Sequence, residues 1–523
     1  LIAAFLRAHL LGLDGRFHPD EALFAAFARD AAVRGEWLLP GNLDKTPLSI
    51  YLQAALMLVM GNRWDGAVWV LDVQQGEFVA RLVGVYTGVL LVALTGRLAH
   101  TLTRSRGAAV TAALLVALSP YGIAFSASAF TDMPMVLFGV LALWAAVTGR
   151  GVWAGVALAL AYACKQQGLL FAPLVVGASW RTRRCAPLQF GGAFAAVIAP
   201  LIVWDAMRPY PSVLLLAFQN NAPDAPLVPP GEWLPRIGAW WALLRWMFGG
   251  ALLTGVVLLL AAWGTVRGPA LLRWLGAYVV GYGLLHLLVP LNVYDRYVLP
   301  VVPLVAILAA WGLVAVGRFV ANALRISPAN THKGLAPLDP LFSLCIADRT
   351  AGCRAGKLCR GMGQRPMLPL LLAILLTPGA WAAANNTLPI GADKGQHDGI
   401  IALADYLNGR EFGAIVYDRW LGWQLNYYLG GWSDKRRAYY PTPQQMATDP
   451  ALTVPDVAPR YLPAPRTADV TPWLAALEEA GFTSCVGYRD ANFVVYVLSR
   501  PTADGETSAS ALARAACYRH AGH

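Results

Sequence analysis

Long apolar runs separated by short polar turns fill most of the chain. The runs over residues 77–99, 107–121, 131–148, 152–163, 168–179, 190–204, 246–263, 274–289, 298–316 and 367–384 read as helices, several of a length that crosses a bilayer core of ~30 Å. A further run over 47–60 is shorter, and length alone leaves it between a core helix and a membrane segment. The pattern breaks twice. Residues 15–51 form a polar stretch holding Asp20, Glu21, Asp30, Glu36 and Asp44 with Arg16, Arg29, Arg34 and Lys45. Within it HPDEALF opens a helix over 21–33 that ends near Gly35: Pro19 suits a first turn, and Asp20 and Glu21 suit the positive end of the helix dipole. From residue 385 the pattern is that of a small α/β domain, with helices over 400–407 and 471–480, a strand over 413–417, and paired strands over 484–488 and 492–498. The tail from 502 is expected to fray.

Composition narrows the class. Of 523 residues 57% are hydrophobic and only 14% charged, which is the balance of a polytopic membrane protein. The net charge of +11 does not point to nucleic acid, because the basic residues sit in short clusters between apolar runs. Seven cysteines with no C-x-x-C pair make neither a zinc site nor a disulfide framework; Cys485 and Cys517 can pair if both lie outside, but are read first as unrelated thiols. Residues 1–13 are short for a span and carry Arg7 and His9, so they are read as the end of a clipped first span or a late start, without a signal-peptide cleavage pattern.

The basic clusters also give sidedness. Arg97 with Arg104 and Arg106, then Arg150, then Arg181 with Arg183 and Arg184, then Arg267 and Arg273, mark cytoplasmic ends. Residues 321–365 hold seven Lys or Arg against two Asp and read as a poorly ordered cytoplasmic linker. Counting between these points gives about ten or eleven spans. It leaves the 47–60 helix re-entrant or lying along the outer surface. It puts Asp20, Lys45, Asp132, Lys165 and Arg296 on the outer side together. Trp233, Trp240 and Trp241, in a long outer loop over 205–245, and Trp246 just after it suit an interfacial aromatic belt.

From the residues alone, Asp20 and Glu21 serve equally as caps of a helix, Lys45 as a snorkelling lysine, Asp132 as another cap ahead of Pro134, and Lys165 and Arg296 as ordinary anchors. A polar residue at a membrane edge is nevertheless costly unless it faces a polar cavity. The order of HPDEA, DKTPL, FTDMP and YDRYVLP over residues 14–310 resembles the membrane-embedded GT-C glycosyltransferases, among them the protein mannosyltransferases and the aminoarabinose transferases of lipid A.

That resemblance implies a mainly α, polytopic GT-C-like fold. It makes 1–320 the catalytic module with its first outer loop at 14–45, 366–384 the last span, and 385–523 an extracytoplasmic domain. It implies a multi-pass protein of the plasma or inner membrane, taking a sugar from a polyprenyl-phosphate donor and passing it, with inversion, to an envelope acceptor (lipid, glycan or protein). Asp20 matches the family's catalytic carboxylate, with Glu21 as a neighbour able to share the role and Asp132 as a second acidic position. Lys45, Arg296 and Lys165 are candidates for the donor phosphate, and His18, Gln167 and Tyr297 for substrate contacts. Asp20 and Asp132 together either hold a divalent metal or share one raised pKa; family members differ in metal use, and no other cofactor is implied. Thr46 stands where many relatives carry a second Pro. A lipid-linked-sugar flippase or other transporter is the competing class, but it needs charges at mid-helix, and here they cluster at outer ends.

Overall fold

The computed structural model describes residues 1–182, 187–222, 225–325, 367–452 and 460–499. The basic stretch read as a cytoplasmic linker falls, from 326 on, outside them, as does the tail expected to fray. The apolar runs are helical. α1 (Ile2–Leu11), α2 (Pro19–Arg34) and α3 (Leu48–Leu56) precede a hairpin of β1 (Asn62–Trp64) and β2 (Trp69–Leu71). Then come α4 (Val73–Thr103), α5 (Arg106–Ala117), α6 (Pro120–Ala124), α7 (Asp132–Val147), α8 (Gly151–Cys164), α9 (Ala172–Thr182) and α10 (Pro187–Met207). The long loop over 205–245 holds α11 (Val213–Asn221) and α12 (Trp233–Leu244). α13 (Ala251–Val266), α14 (Ala270–Leu288), α15 (Val302–Arg325) and α16 (Met367–Ala384) complete the helical part.

Among the described residues four helices are long and apolar enough to cross a membrane, and other apolar helices are 10–17 residues long. The breaks have chemical causes. Ser119 caps α6 ahead of Pro120, Lys165 leaves α8 with an extended backbone, and Gly249 and Gly250 take positive φ before α13. The apolar window at the head of α15, over Asp295–Phe319, is 78% buried, whereas that of α10 is 11% buried. α15 is therefore a central helix, and α10 turns apolar side chains outward as a lipid-facing helix does.

α13 and α15 cross at van der Waals distance because both offer glycine. A Cβ on Gly264 would lie 2.0 Å from the Leu308 carbonyl oxygen, and one on Gly312 would lie 1.9 Å from that of Leu260. Gly312→Ala is expected to push this crossing apart, at a cost of about 1–3 kcal/mol. Lowered thermal stability of the detergent-solubilised protein, measured beside an exposed control such as Gly317→Ala, checks it.

The C-terminal domain is a five-stranded mixed sheet in the order β4-β3-β5-β7-β6. β3 (Ile415–Tyr417) runs parallel to β4 (Arg436–Ala438) and to β5 (Arg460–Pro465), while β7 (Phe493–Ser499) is antiparallel to β5 and to β6 (Thr483–Arg489). α17 (Ile400–Asn408), α18 (Gly422–Tyr428), α19 (Pro443–Leu452) and α20 (Thr471–Glu479) flank it. Cys485 is disulfide-bonded, which corrects its reading as a lone thiol; Cys517 lies outside the described residues.

The domain is fastened to the helical part at the polar first loop. Tyr428 Oη receives the Phe17 amide at 2.7 Å and donates to Glu77. Tyr427 Oη donates to the Val73 carbonyl at 2.9 Å, and Arg29 donates to the carbonyls of Asn426 and Tyr427 at 3.0 and 2.6 Å. Four elements distant in sequence are thus held by buried, satisfied polar groups.

Candidate active site

The site is built on the N-terminus of α2. His18 is the N-cap: its Nδ1 accepts the Asp20 amide at 3.2 Å, and Glu21 reaches back to accept the His18 amide at 3.0 Å. This capping box with Pro19 in the first turn fixes the start of the helix. Gly35, at φ 71°, ends it.

Neighbouring carboxylates then part company. Glu21 is fully buried, accepting from Arg81 Nε at 3.1 Å and from the Ala129 amide at 2.8 Å. Arg81 goes on to the carbonyls of Gly15 and Arg16 at 2.6 and 2.8 Å, and Arg16 pairs with Glu77 at 2.6 Å. All of this is internal bracing, so the geometric basis for Glu21 as a shared catalytic base is lost. Asp20, one residue earlier on the helix, turns instead into a cavity of about 340 Å³.

Lys45, Lys165, Arg296 and Tyr297 line that cavity with Asp20. Lys45 is seated by the chain around it. Arg208 gathers the carbonyls of Leu38, Leu39 and Gly41 at 2.8–3.0 Å, and Gln166 donates to the Asp44 carbonyl at 3.0 Å. Thr46 is buried, its hydroxyl donating to the Tyr162 carbonyl at 2.7 Å, so the departure from the Pro of many relatives gives the backbone an anchor of its own.

Every cation in the cavity stands on a carboxylate. Lys45 pairs with Asp44 at 2.5 Å, Lys165 with Asp132 at 2.7 Å, and Arg296 with Asp20. Asp132 lies behind Lys165 rather than in the cavity lining. Lys165 also sits 5.7 Å from the centre of the Tyr297 ring, whose side chain Gln167 hydrogen-bonds. His18 and Gln167, expected as substrate contacts, act in this structure as cap and second-layer support. The Arg296 Nε is buried with no hydrogen-bond partner among the described residues. The residue lines the cavity, where a guanidinium is a ready ligand for an anionic oxygen.

Burial works against the charge on Asp20, but Arg296, with His18 and Lys165 beyond, outweighs it and holds the carboxyl below its usual range. Lys165 goes the other way. Its burial, only partly offset by Asp132 and reinforced by Arg296 and Lys45, brings the ammonium down from 10.5 to about 8. An activity that needs Lys165 charged is expected to fall as pH rises through about 8, and Lys165→Arg should remove that limb. Stability moves oppositely. The unfolded chain keeps its proton up to about 10.5 and so binds more protons across the window above about 8, and this group's contribution to stability rises there with pH. Parallel pH profiles of turnover and thermal stability check both signs.

A divalent metal between Asp20 and Asp132 fits these residues poorly. Each carboxylate already faces a cation, and among the described residues no group of three or more His, Cys, Asp or Glu is placed to hold an ion. Sequence reasoning passed over the cavity's remaining lining, Asn42, Asp44, Leu216, Asn220, Asn221, Asn292, Tyr294 and Trp423. Asp44 beside Lys45 was readable as a local pair. Trp423, from the C-terminal domain, carried no sequence signal at all.

No family model and no curated protein sequence matches the chain. Solved structures do. ArnT from Cupriavidus metallidurans bound to undecaprenyl phosphate superimposes with a TM-score of 0.63 at 16% identity, over 95% of this chain and 96% of that one. The same protein in its apo state gives 0.57 at 16% identity over the same shares. The apo oligosaccharyltransferase of Archaeoglobus fulgidus gives 0.51 at 10% identity, over 97% of this chain and 74% of that one. With its long apolar helices and C-terminal mixed sheet, the chain has the GT-C-like fold of a multi-pass membrane protein.

Proposed function

We propose that the chain is an inverting glycosyltransferase that takes a sugar from a polyprenyl-phosphate carrier at the outer face of the membrane and passes it to an envelope acceptor. The observation that carries this reading is one cavity lined together by Asp20, Lys45, Lys165 and Arg296. That an ArnT of the same fold binds undecaprenyl phosphate supports the choice of carrier.

In this reading Lys45 and Arg296 hold the donor phosphate. Asp20 takes the proton from the acceptor hydroxyl or amine as that atom bonds to the sugar's anomeric carbon. The bond from that carbon to the phosphate oxygen breaks on the opposite face, and its electron pair leaves with the polyprenyl phosphate. Arg296 links the two halves. While it lies on Asp20 the carboxylate is a weak base; once it shares its charge with a phosphate, Asp20 recovers basicity. Donor binding thereby arms the base.

Carrier binding tests the first half of this. Lys45→Ala and Arg296→Ala are each expected to weaken undecaprenyl phosphate binding at least tenfold, about 1.4 kcal/mol, with the fold intact. Affinity equal to wild type in both would remove the phosphate site from this cavity.

A further inference from the structure

The cavity has a second side that the donor chemistry leaves unused. Part of its lining is neutral: Trp423 from α18, Asn220 and Asn221 from the end of α11, and Asn292 from the turn before α15. The Trp423 side chain is 47% exposed although it belongs to a buried, docked helix. One turn later on that helix Tyr427 is buried, packing edge-on against Phe17 at 4.9 Å. Residues four apart share a helix face, and Trp423 lines the cavity with Asp20, Leu23 and Phe24 of α2. Asn220 and Asn292 are solvent-exposed, and neither side chain makes a hydrogen bond within the described residues.

We infer that this neutral wall is the acceptor subsite, and that the acceptor is a saccharide, bound with one ring face on Trp423 and its hydroxyls on Asn220 and Asn292. An indole offers a flat, rigid apolar face with little conformational entropy to lose. A carboxamide offers a donor and an acceptor together, matching a hydroxyl, which is both. The other acceptor classes fit less well. A phosphorylated lipid needs a cation of its own, and with Lys45 and Arg296 assigned to the donor phosphate only Lys165 remains in the lining, buried on Asp132. A peptide acceptor finds no strand edge to pair with in this lining, among the described residues.

This inference rests on the proposed transferase reading, so its test keeps the two apart. The full chain in nanodiscs is assayed for undecaprenyl phosphate binding, and separately for transfer from a panel of undecaprenyl-phosphate hexoses and pentoses. The acceptor probes are methyl glycosides of glucose, mannose and N-acetylglucosamine, a threonine-containing peptide, and lipid A. Trp423→Ala is expected to raise the KM for the best methyl glycoside at least tenfold. Trp423→Phe should bring it back to within threefold of wild type, and Asn220→Ala should raise it several-fold. Carrier affinity stays within twofold of wild type in all three. An unchanged KM in Trp423→Ala, or transfer to the peptide or lipid A but to no glycoside, overturns the saccharide subsite and leaves the transferase reading standing. Wild type that binds no carrier and transfers to no probe overturns both.

Discussion

Asp20→Asn is expected to lower sugar transfer by about a thousandfold or more while leaving the protein folded. General-base assistance contributes about 10²–10⁴-fold, and the amide removes it with almost no change in shape. The side chain is partly exposed to the cavity, and among the described residues its ion pair is with Arg296, so little structure hangs on it. Losing the carboxylate also frees Arg296 toward the phosphate. Carrier binding should therefore be equal or tighter, a split that a merely capping residue would not produce. Initial rates and carrier affinity measured on the same preparation check it; a variant that loses both together would show that Asp20 holds the site's architecture rather than moving a proton.

Glu21→Ala is expected to do the reverse. Its carboxylate is fully buried against Arg81 and the Ala129 amide and completes the capping box with His18. Removing it leaves the Arg81 guanidinium, braced on the Gly15 and Arg16 carbonyls, without its paired carboxylate in the interior, sharing only the charge of Glu77 that Arg16 already holds. Breaking a buried pair from one side costs about 3–5 kcal/mol. The melting temperature should fall sharply and expression with it, whereas Glu21→Gln keeps the backbone contacts and should lose less. Turnover per folded molecule is expected to survive far better than in Asp20→Asn. Adjacent acids would then give opposite phenotypes, one catalytic and one structural.

That opposition was not legible in the sequence. HPDEA announces a helix start, and the helix is there, because Pro19, the two acids and Gly35 act locally. Which acid faces the cavity depends on where Arg81 stands, sixty residues along the chain. The same limit runs through the fold. Apolar runs set by hydropathy became helices close to their expected bounds, and the strand pairing over 483–499 followed its alternation. Within the loop over 205–245, α11 and α12 were missed, because aromatic and proline-rich sequence hid short amphipathic turns. β4 and β5 were missed as well. β4 is three residues long, and β5 carries Pro463 and Pro465 in its span, which argues against a strand on local grounds. Side-of-membrane counting grouped Asp20, Lys45, Asp132, Lys165 and Arg296, and the cavity is lined by all but Asp132, which pairs with Lys165. It had no means of finding Trp423, whose place is fixed by the docking of a domain that begins hundreds of residues later.

The central claim, that Asp20 drives sugar transfer from a lipid phosphate, is tested most directly by one pair of reactions. Wild type and Asp20→Asn are supplied with radiolabelled undecaprenyl-phosphate sugars and membrane extract, and the label and the anomeric configuration of the product are followed. The account predicts that wild type moves label off the lipid with inversion and that Asp20→Asn binds the carrier but transfers almost nothing. Equal transfer by both proteins, a product of retained configuration, or movement of the intact lipid across vesicles without transfer would contradict it.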